Sequence, residues 1–250
     1  MSLSDLSGQL DAAKSSVSED IALIRATLQQ ADVGTVDTIA GASGGVKYRV
    51  AVPAPERTAF LTDMAGRLAD SSRILPGGFL YMSDVLADPD VLDQAGRLFA
   101  QAFADSDVNV VVTIETKGIP LAVATARYLH VPVVIVRREH RVTEGTAMSF
   151  HYVSGSERRI QTMSISKRAM PASARALIVD DFMRAGATAK AVMNLLAEFS
   201  AQVVGIAVFM ETREPRRKLV ADYTALFSLG PLEEGGPVEV VPLDIHPDPA

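Results

Sequence analysis

The chain has 250 residues, of which 48% are hydrophobic, and its formal net charge is −6. This length is enough for one large hydrophobic core or two smaller ones. No apolar run reaches the ~18 residues that a membrane span requires, and the first residues lack the charged and apolar regions of a signal peptide. The lack of cysteine excludes disulfides and thiolate metal sites, which predicts a cytoplasmic protein. The negative charge argues against a chain that coats nucleic acid, although it is compatible with a local DNA-reading element.

The first part of the chain predicts two short helices. Ser4–Leu10 begins with a serine suited to capping a helix. After a break at residues 11–13, a second helix opens at Lys14, and its apolar stripe consists of Val17, Ile21, Leu23 or Ile24, and Leu28. The opposite face at the start of this helix carries small polar side chains.

A hairpin with a glycine-rich tip is predicted after the two helices. Thr35–Ile39 and Val46–Val50 read as strands on either side of residues 41–45. Together with a helix pair this is typical of a winged helix, whose second helix enters the major groove of DNA. The residues predicted to contact DNA are Lys14, Ser15, Ser16, Ser18, Ser43 and Lys47. The alternative is an ordinary helical hairpin packed on the main domain, because the segment is not net basic.

A change of composition between Pro53 and Pro55 predicts a domain boundary, with one domain at 1–53 and another at 54–250. In the second domain, apolar strands alternate with amphipathic helices, which predicts an α/β fold with a parallel sheet. The predicted strands are Val108–Glu115, Val131–Arg137, Ala176–Val179 and Val203–Phe209, and the predicted helices are Glu56–Ala69, Val91–Phe103 and Leu121–Leu129.

The stretch from Ala176 to Thr188 combines a buried strand, two adjacent carboxylates, a tight loop and a helix that begins near Thr188. Backbone N–H groups of the Arg184–Thr188 loop converge at the helix N-terminus, which is an anion site. Asp180 and Asp181 cannot bind phosphate themselves, but they can accept hydrogen bonds from two neighbouring hydroxyl groups. The stretch therefore predicts a ribose beside a phosphate. The alternative is a loop-capping aspartate, as in any open α/β sheet.

A second loop is predicted to face the same crevice, because ligands of open sheets bind outside the carboxyl ends of the strands. The loop Thr116–Pro120 follows one strand, as the Arg184–Thr188 loop follows another. Lys117 supplies positive charge to an anion, and Gly118 lets the backbone approach closely. An isolated Lys-Gly pair is more often a solvated turn, and the neighbouring anion site is what favours a binding role.

Two further segments are polar. Arg138–Met170 is predicted to form a long hairpin with its strands on either side of residues 154–156, and an excursion of this length is usually functional. Arg213, Arg216, Arg217 and Lys218 form a basic cluster, which we interpret as a solvated helix face.

Two resemblances accompany these patterns. The Ala176–Thr188 stretch resembles the phosphoribosyl pyrophosphate (PRPP) motif of type I phosphoribosyltransferases. The whole set of motifs resembles the bacterial purine operon repressor family, which joins an N-terminal winged helix to a type I phosphoribosyltransferase-like domain. The motifs that carry this resemblance are Lys14–Asp20, Gly44–Tyr48, Arg73–Gly78, Thr116–Pro120, Val142–Gly145, Tyr152–Ser156, Arg159–Ser164 and Val179–Met183.

The resemblance implies a dimeric repressor of purine genes that is released from operator DNA by PRPP, and it implies effector sensing without catalysis. It leaves open whether Mg²⁺ accompanies PRPP. Carried over by position, the residues expected to bind PRPP are Tyr81, Lys117, Gly118, Asp180, Asp181, Phe182, Met183, Arg184, Ala185, Gly186, Ala187 and Thr188. The alternative is a catalytic, xanthine-like phosphoribosyltransferase with an N-terminal addition. The bulky Phe182, Met183 and Arg184 favour the repressor, because the enzyme loop is small and rich in threonine.

The chain departs from the family pattern in three respects. Family members carry a further helix before the position of Ser2, so we expect a partial winged helix with partly exposed Leu3, Leu6, Leu10, Val17, Ile21 and Ile24. Phe79 stands where members of the family can carry tyrosine, which leaves Tyr81 as the nearby hydroxyl. Arg184 and Ala187 replace lysine and glycine, so the charge is kept while the Cβ of Ala187 can crowd the phosphate.

Overall fold

The computed structural model describes residues 2–39, 45–139, 145–153, 160–232 and 236–245. The chain divides into two compact units, Met1–Arg57 and Thr58–Ala250. The division lies inside the helix Ala54–Leu68, whereas the sequence predicts a boundary after Pro53. Each unit contains its own cluster of buried apolar side chains.

The first unit begins with helices α1 (Leu3–Leu10) and α2 (Lys14–Gln30), followed by the antiparallel strands β1 (Gly34–Ile39) and β2 (Gly45–Val50). Ser2 caps α1, because its hydroxyl accepts the Asp5 N–H at 3.1 Å while the Asp5 carboxylate accepts the Ser2 N–H at 3.1 Å. The capping role predicted for Ser4 is therefore wrong. The predicted break after α1 is confirmed, and Asp11 ends the helix in a left-handed conformation with φ of 49°.

The core of the first unit is formed by Val17 and Ile21 of α2 and by Val36 of β1. The expectation that Val17 and Ile21 are partly exposed is wrong, since these side chains are only 2% and 8% exposed. Leu3, Leu6 and Leu28 are among the half-buried side chains packed against this core.

Two apolar side chains of α2 lie outside the core. Leu23 is 67% exposed and Ile24 is 50% exposed, so the predicted stripe holds at Val17, Ile21 and Leu28 and fails at Leu23 and Ile24. Ile24 is therefore exposed, as expected. Leu10 at the end of α1 is exposed as expected.

The remaining elements, in chain order, are α3 (Ala54–Leu68), β3 (Ile74–Leu75), β4 (Phe79–Leu80), α4 (Pro89–Ala102), β5 (Val110–Ile114), α5 (Gly118–Leu129), β6 (Val133–Val136), β7 (Ala147–Val153), β8 (Ile160–Ser166), β9 (Arg175–Met183), α6 (Ala187–Ala197), β10 (Gln202–Thr212), β11 (Thr224–Leu229) and β12 (Val240–Pro242). Six of these strands form the main sheet, in the order β12-β11-β10-β9-β5-β6. Its strand pairs are parallel except for β11 with β12. The predicted parallel α/β fold is confirmed.

The interior of the sheet explains why its strands read as unbroken apolar runs. Every residue of β5 is buried, and so is the run Ala176–Asp180 of β9. Strands covered on both faces have no polar side to alternate with. Phe209 and Phe227 pack across β10 and β11 with ring centroids 5.1 Å apart. Because β5, β9 and β10 are paired in parallel, their carboxyl ends lie at one edge of the sheet.

Outside the main sheet, β3 pairs with β4 and β7 pairs with β8. The β7–β8 pair confirms the predicted hairpin, although residues 154–159 at its tip lie outside the described residues, as do 140–144. The strands β11 and β12 were not predicted from the sequence. The helix predicted for the Arg213–Lys218 cluster is wrong, because these residues form a series of bends.

Candidate functional site

The two carboxylates are carried by strand β9 itself and not by a loop after it. Pairing with β10 continues to the end of the strand, with Asp180 opposite Val208 and Phe182 opposite Met210. The strand end predicted at Val179 is therefore wrong. Because both neighbouring strands hold β9 in register, the carboxylates have a fixed place at the edge of the sheet.

Asp180 and Asp181 lie in different surroundings. Asp180 is 9% exposed, and its Oδ1 accepts the N–H of Asp181 at 3.0 Å. Burial, and after it the negative charge of Asp181, raises the pKa of Asp180 well above its ordinary value. Asp181 is half-buried and lines a cavity at the edge of the sheet. The pair thus combines one shielded carboxyl group with one that is open to a ligand.

Gly118 brings the end of β5 close to these carboxylates. A Cβ at this position would lie 2.6 Å from Thr113 Oγ1 and 3.1 Å from Asp180 Oδ1, so a larger residue would not fit without movement. Helix α5 begins at Gly118, three residues earlier than predicted, and Lys117 occupies its cap. Lys117 is exposed and lines the same cavity as Asp181.

A sharp turn separates β9 from α6. Gly186 has φ of +79°, which few other residues adopt, and a Cβ there would lie 3.1 Å from Val220 Cγ2. The Gly186 carbonyl accepts the Lys190 N–H at 2.9 Å, and α6 begins at Ala187. The helix start is confirmed to within one residue. The first amide groups of a helix have no acceptor within it, so the Arg184–Thr188 loop presents donors at the N-terminus of α6.

A cavity of about 540 Å³ lies beside this turn. Its polar wall includes Lys117, Asp181 and Arg184, and its apolar wall includes Phe79 and Phe182. The other lining residues are Gly77, Gly78, Leu80, Met82, Thr212, Glu214, Leu229, Gly230, Pro231 and Leu232. The lining of the cavity therefore combines charged and hydrogen-bonding groups with apolar side chains.

Of the residues predicted to bind PRPP, those that line the cavity are Lys117, Asp181, Phe182 and Arg184. Met183 and Tyr81 are among those that do not line it. Met183 is 3% exposed and its side chain belongs to the hydrophobic core. Tyr81 is 42% exposed and is held by its backbone, since its N–H donates to the Arg73 carbonyl at 2.8 Å. Arg73 is fixed in turn by Asp84, with two N–H···O contacts of 2.8 and 2.9 Å.

The sequence interpretation missed several residues that line or adjoin the cavity, and the polar ones among them are Thr212, Glu214 and Lys218. The basic cluster in which Lys218 lies is not one patch, because Arg213 pairs with Glu239 at 2.8 Å and Arg216 pairs with Glu214 at 3.4 Å. Lys218 donates to the Thr212 carbonyl at 2.5 Å. These residues follow the carboxyl end of β10, so the rule that predicted the other two loops could have found them.

The predicted DNA-contacting residues of α2 are accessible. Lys14, Ser15, Ser16 and Ser18 are all exposed at the start of the helix. Lys47 is half-buried and lies opposite Asp37 in the β1–β2 pair. Ser43 lies outside the described residues.

Strand β1 is fixed to α2 by Arg25. Its Nε donates to the Val36 carbonyl at 2.6 Å, and its Nη2 donates to Thr38 Oγ1 at 3.0 Å. The hairpin thus has a defined place against α2 within the first unit, as a wing requires.

Neither a metal cluster nor a membrane helix occurs in the described part of the chain. Residues 2–39, 45–139, 145–153, 160–232 and 236–245 contain no group of three or more His, Asp or Glu side chains placed to hold a metal ion. The helices found in the same ranges are too short or too polar to cross a membrane.

Two family models match this chain. The model described as bacterial purine repressor, N-terminal, matches residues 1–50. The model described as phosphoribosyl transferase domain matches residues 82–243. The second match covers β5, β9 and β10 and the turn that leads into α6.

Curated proteins with similar sequences include regulators and enzymes. The purine biosynthesis transcriptional repressor PurR of Bacillus subtilis is 48% identical over 227 residues, which cover 91% of this chain and 80% of that protein. The purine biosynthesis transcriptional activator PurR of Lactococcus lactis subsp. lactis is 38% identical over 229 residues, or 92% of this chain and 84% of that protein. A xanthine phosphoribosyltransferase of Lactococcus lactis subsp. cremoris is 32% identical over 162 residues, which cover 63% of this chain and 82% of the enzyme.

Solved structures share the fold of the larger unit at low sequence identity. Adenine phosphoribosyltransferase from Rhodothermus marinus has a TM-score of 0.58 and 22% identity, with 69% of this chain and 99% of that chain covered. The matches to the regulators, by contrast, extend over both units. The chain therefore belongs to the bacterial purine repressor family.

Proposed function

We propose that this protein is a DNA-binding transcriptional repressor of purine biosynthesis genes, and that PRPP relieves its binding to operator DNA. The observation that carries this proposal is the presence in one chain of a purine repressor N-terminal domain and a phosphoribosyl transferase domain with a formed cavity. A regulator needs one part that reads DNA and another that senses a metabolite.

The cavity supports PRPP as that metabolite. In this proposal Asp180 and Asp181 accept hydrogen bonds from the ribose hydroxyls, since charged acceptors form strong hydrogen bonds with hydroxyl groups. The amides of the Arg184–Thr188 loop bind the 5′-phosphate at the N-terminus of α6. Lys117 and Gly118 meet the pyrophosphate at the end of β5. Oxygens of that pyrophosphate would also be suitable ligands for Mg²⁺, an ion that is commonly bound through substrate phosphates.

Repression is favoured over activation because this chain is more similar in sequence to the repressor than to the activator. Identity is 48% to the Bacillus repressor and 38% to the Lactococcus activator over nearly the same length. We further propose that the protein acts as a homodimer, because helix-turn-helix proteins bind paired half-sites as dimers. Sedimentation equilibrium tests the dimer directly, and a monomer at micromolar concentration would contradict it.

The second candidate function is a catalytic xanthine phosphoribosyltransferase, and the 32% identity to such an enzyme favours it. Against it stand the N-terminal unit, which an enzyme does not need, and the bulky Phe182 and Arg184 at the cavity wall. We expect no nucleotide above background when the protein is incubated with PRPP, Mg²⁺ and each purine base. Base-dependent pyrophosphate release with kcat on the order of 1 s⁻¹ or higher would identify an enzyme.

A gel-shift experiment with DNA from upstream of purine genes tests the proposed function. We expect a specific complex that PRPP dissociates. The titration is done once with Mg²⁺ in the binding buffer and once without it, so that any contribution of the ion is measured. A complex unaffected by PRPP would refute the effector assignment, and the lack of any specific complex would refute the repressor.

A further inference from the structure

A polar segment packs directly against the Arg184–Thr188 loop. The Leu219 N–H donates to the Ala185 carbonyl at 2.8 Å, and Val220 Cγ2 lies 3.1 Å from the position that a Cβ at Gly186 would take. The Thr212 hydroxyl lies 3.3 Å from the Arg184 carbonyl. Residues 212–220 therefore hold the loop at Ala185 through a backbone hydrogen bond and lie close to it at Arg184 and Gly186.

Lys218 holds this segment together. Its ammonium group donates to the Thr212 carbonyl at 2.5 Å and lies 3.5 Å from Thr212 Oγ1. The Thr212 hydroxyl also donates to the Glu214 carbonyl at 2.6 Å, which closes the bend around Lys218. The lysine is half-buried, and burial lowers its pKa while Glu211 and Glu214 oppose the shift. The ammonium group is thus held at Thr212 at some cost of desolvation, which its hydrogen bonds to this residue compensate.

The neighbouring cations are arranged differently. Arg213 and Arg216 form ion pairs with Glu239 and Glu214 near the surface. Arg217 is exposed and directly precedes Lys218 in sequence. Within the described part of the cluster, Lys218 is the cation whose side chain donates to Thr212, the residue that borders both the cavity and the loop.

We propose that Lys218 is a positioning residue that fixes the Arg184–Thr188 loop through Thr212 in the conformation that binds a phosphate. The chemical class recognised there is a phosphate monoester on a sugar, bound where Arg184 and Thr212 line the cavity. The consequence for ligand binding rests on the proposed function, whereas the effect on the loop does not.

Hydrogen exchange of the ligand-free protein tests the effect on the loop. We expect Lys218→Met to raise the exchange rate of a peptide spanning residues 184–190 about five- to tenfold, because a charge-assisted hydrogen bond is lost. Lys218→Arg should restore slow exchange, and Arg217→Met, which removes the same charge one residue away, should match the wild type. Unchanged exchange in Lys218→Met, an equal effect of Arg217→Met, or an equal rise in peptides from β5 and α4 would overturn the proposal.

Calorimetry with separate parts of the ligand tests the consequence for binding. We expect Lys218→Met to weaken ribose 5-phosphate about tenfold and to leave inorganic pyrophosphate unchanged, with rescue by Lys218→Arg. Equal weakening of both ligands would overturn a local role. Failure of the wild type to bind ribose 5-phosphate and PRPP would instead refute the proposed effector, and the exchange rates would still decide whether Lys218 fixes the loop.

Discussion

Among single residues, Asp180 shows most clearly how binding and stability oppose each other. Its carboxyl group is buried next to Asp181, where ionisation is unfavourable. Hydrogen bonds from ribose hydroxyls are strongest to an ionised carboxylate. Ionisation of Asp180 therefore costs free energy in the unliganded protein, and hydrogen bonds from ribose hydroxyls would offset that cost.

This conflict predicts a pH-dependent loss of stability. Burial and the charge of Asp181 raise the pKa of Asp180 above its ordinary value of 3.8. Its stabilising contribution is fully present below the ordinary pKa and is lost as pH rises through the folded-state pKa, because the unfolded chain ionises first. Asp180→Asn should gain free energy of unfolding relative to the wild type over that pH range. Urea denaturation at several pH values measures the difference, and a difference independent of pH would contradict the assignment.

A double substitution tests the ribose contacts. Asp180→Asn with Asp181→Asn should abolish PRPP binding and leave operator binding intact, since each lost charge-assisted bond costs ~1.5–3 kcal/mol. This corresponds to roughly tenfold or more in affinity for each residue. Asp63→Asn, at an exposed position of α3, is the matched control. Wild-type affinity of the double variant in calorimetry would contradict the role of the two carboxylates.

Where whole elements are concerned, the sequence predicted those whose pattern follows from burial alone. The runs of β5 and β9 are apolar because both faces of the strands are covered. The end of β9 could not be predicted, because Asp180 and Asp181 remain in the strand through pairing with β10, a contact distant in sequence. Ile24 fits the apolar period of α2 but is half exposed, because periodicity does not reveal which neighbours cover a helix.

The residues of the candidate site likewise divide into those that the sequence predicted and those that it did not. Lys117, Asp181 and Arg184 line the cavity and follow from the rule that ligands bind at the carboxyl ends of strands. Thr212 and Lys218 were missed because the sequence does not show that the ammonium group of Lys218 turns towards Thr212. Met183 was placed at the site by its position in the motif, whereas its side chain is buried in the core of the larger unit.

The close contact between α4 and α5 can be tested by its effect on the free energy of unfolding. A Cβ at Gly96 would lie 2.8 Å from the carbonyl carbon of Ala124, while a Cβ at Gly66 of α3 would meet no atom within 4 Å. Gly96→Ala should lower the free energy of unfolding by ~1–3 kcal/mol because it separates the helices. Gly66→Ala is the matched control and should raise it by ~1 kcal/mol. Denaturant titrations measure both, and destabilisation by both variants would show that the contact is not the cause.

For the molecule as a whole, the net charge of −6 confines DNA binding to a local surface. Lys14 and the serines at the start of α2 are exposed, and such residues contact phosphates and base edges in helix-turn-helix proteins. Lys14→Met should weaken operator binding and reduce the slope of log K against log salt by about one. Lys167→Met, an exposed lysine of the other unit, should leave the slope unchanged. An unaltered slope for Lys14→Met would remove this lysine from the DNA-contacting surface.

The account requires that the two units be coupled, so that PRPP and operator DNA each reduce the affinity for the other by the same factor. The most direct measurement is the fluorescence anisotropy of labelled operator DNA, titrated with protein at zero and at saturating PRPP. The account predicts that PRPP weakens wild-type binding by roughly fivefold or more, the range of ordinary coupling energies. It also predicts no effect of PRPP on the variant with Asp180→Asn and Asp181→Asn, which should bind the operator as tightly as the unliganded wild type. Equal operator affinity of the wild type with and without PRPP would contradict it.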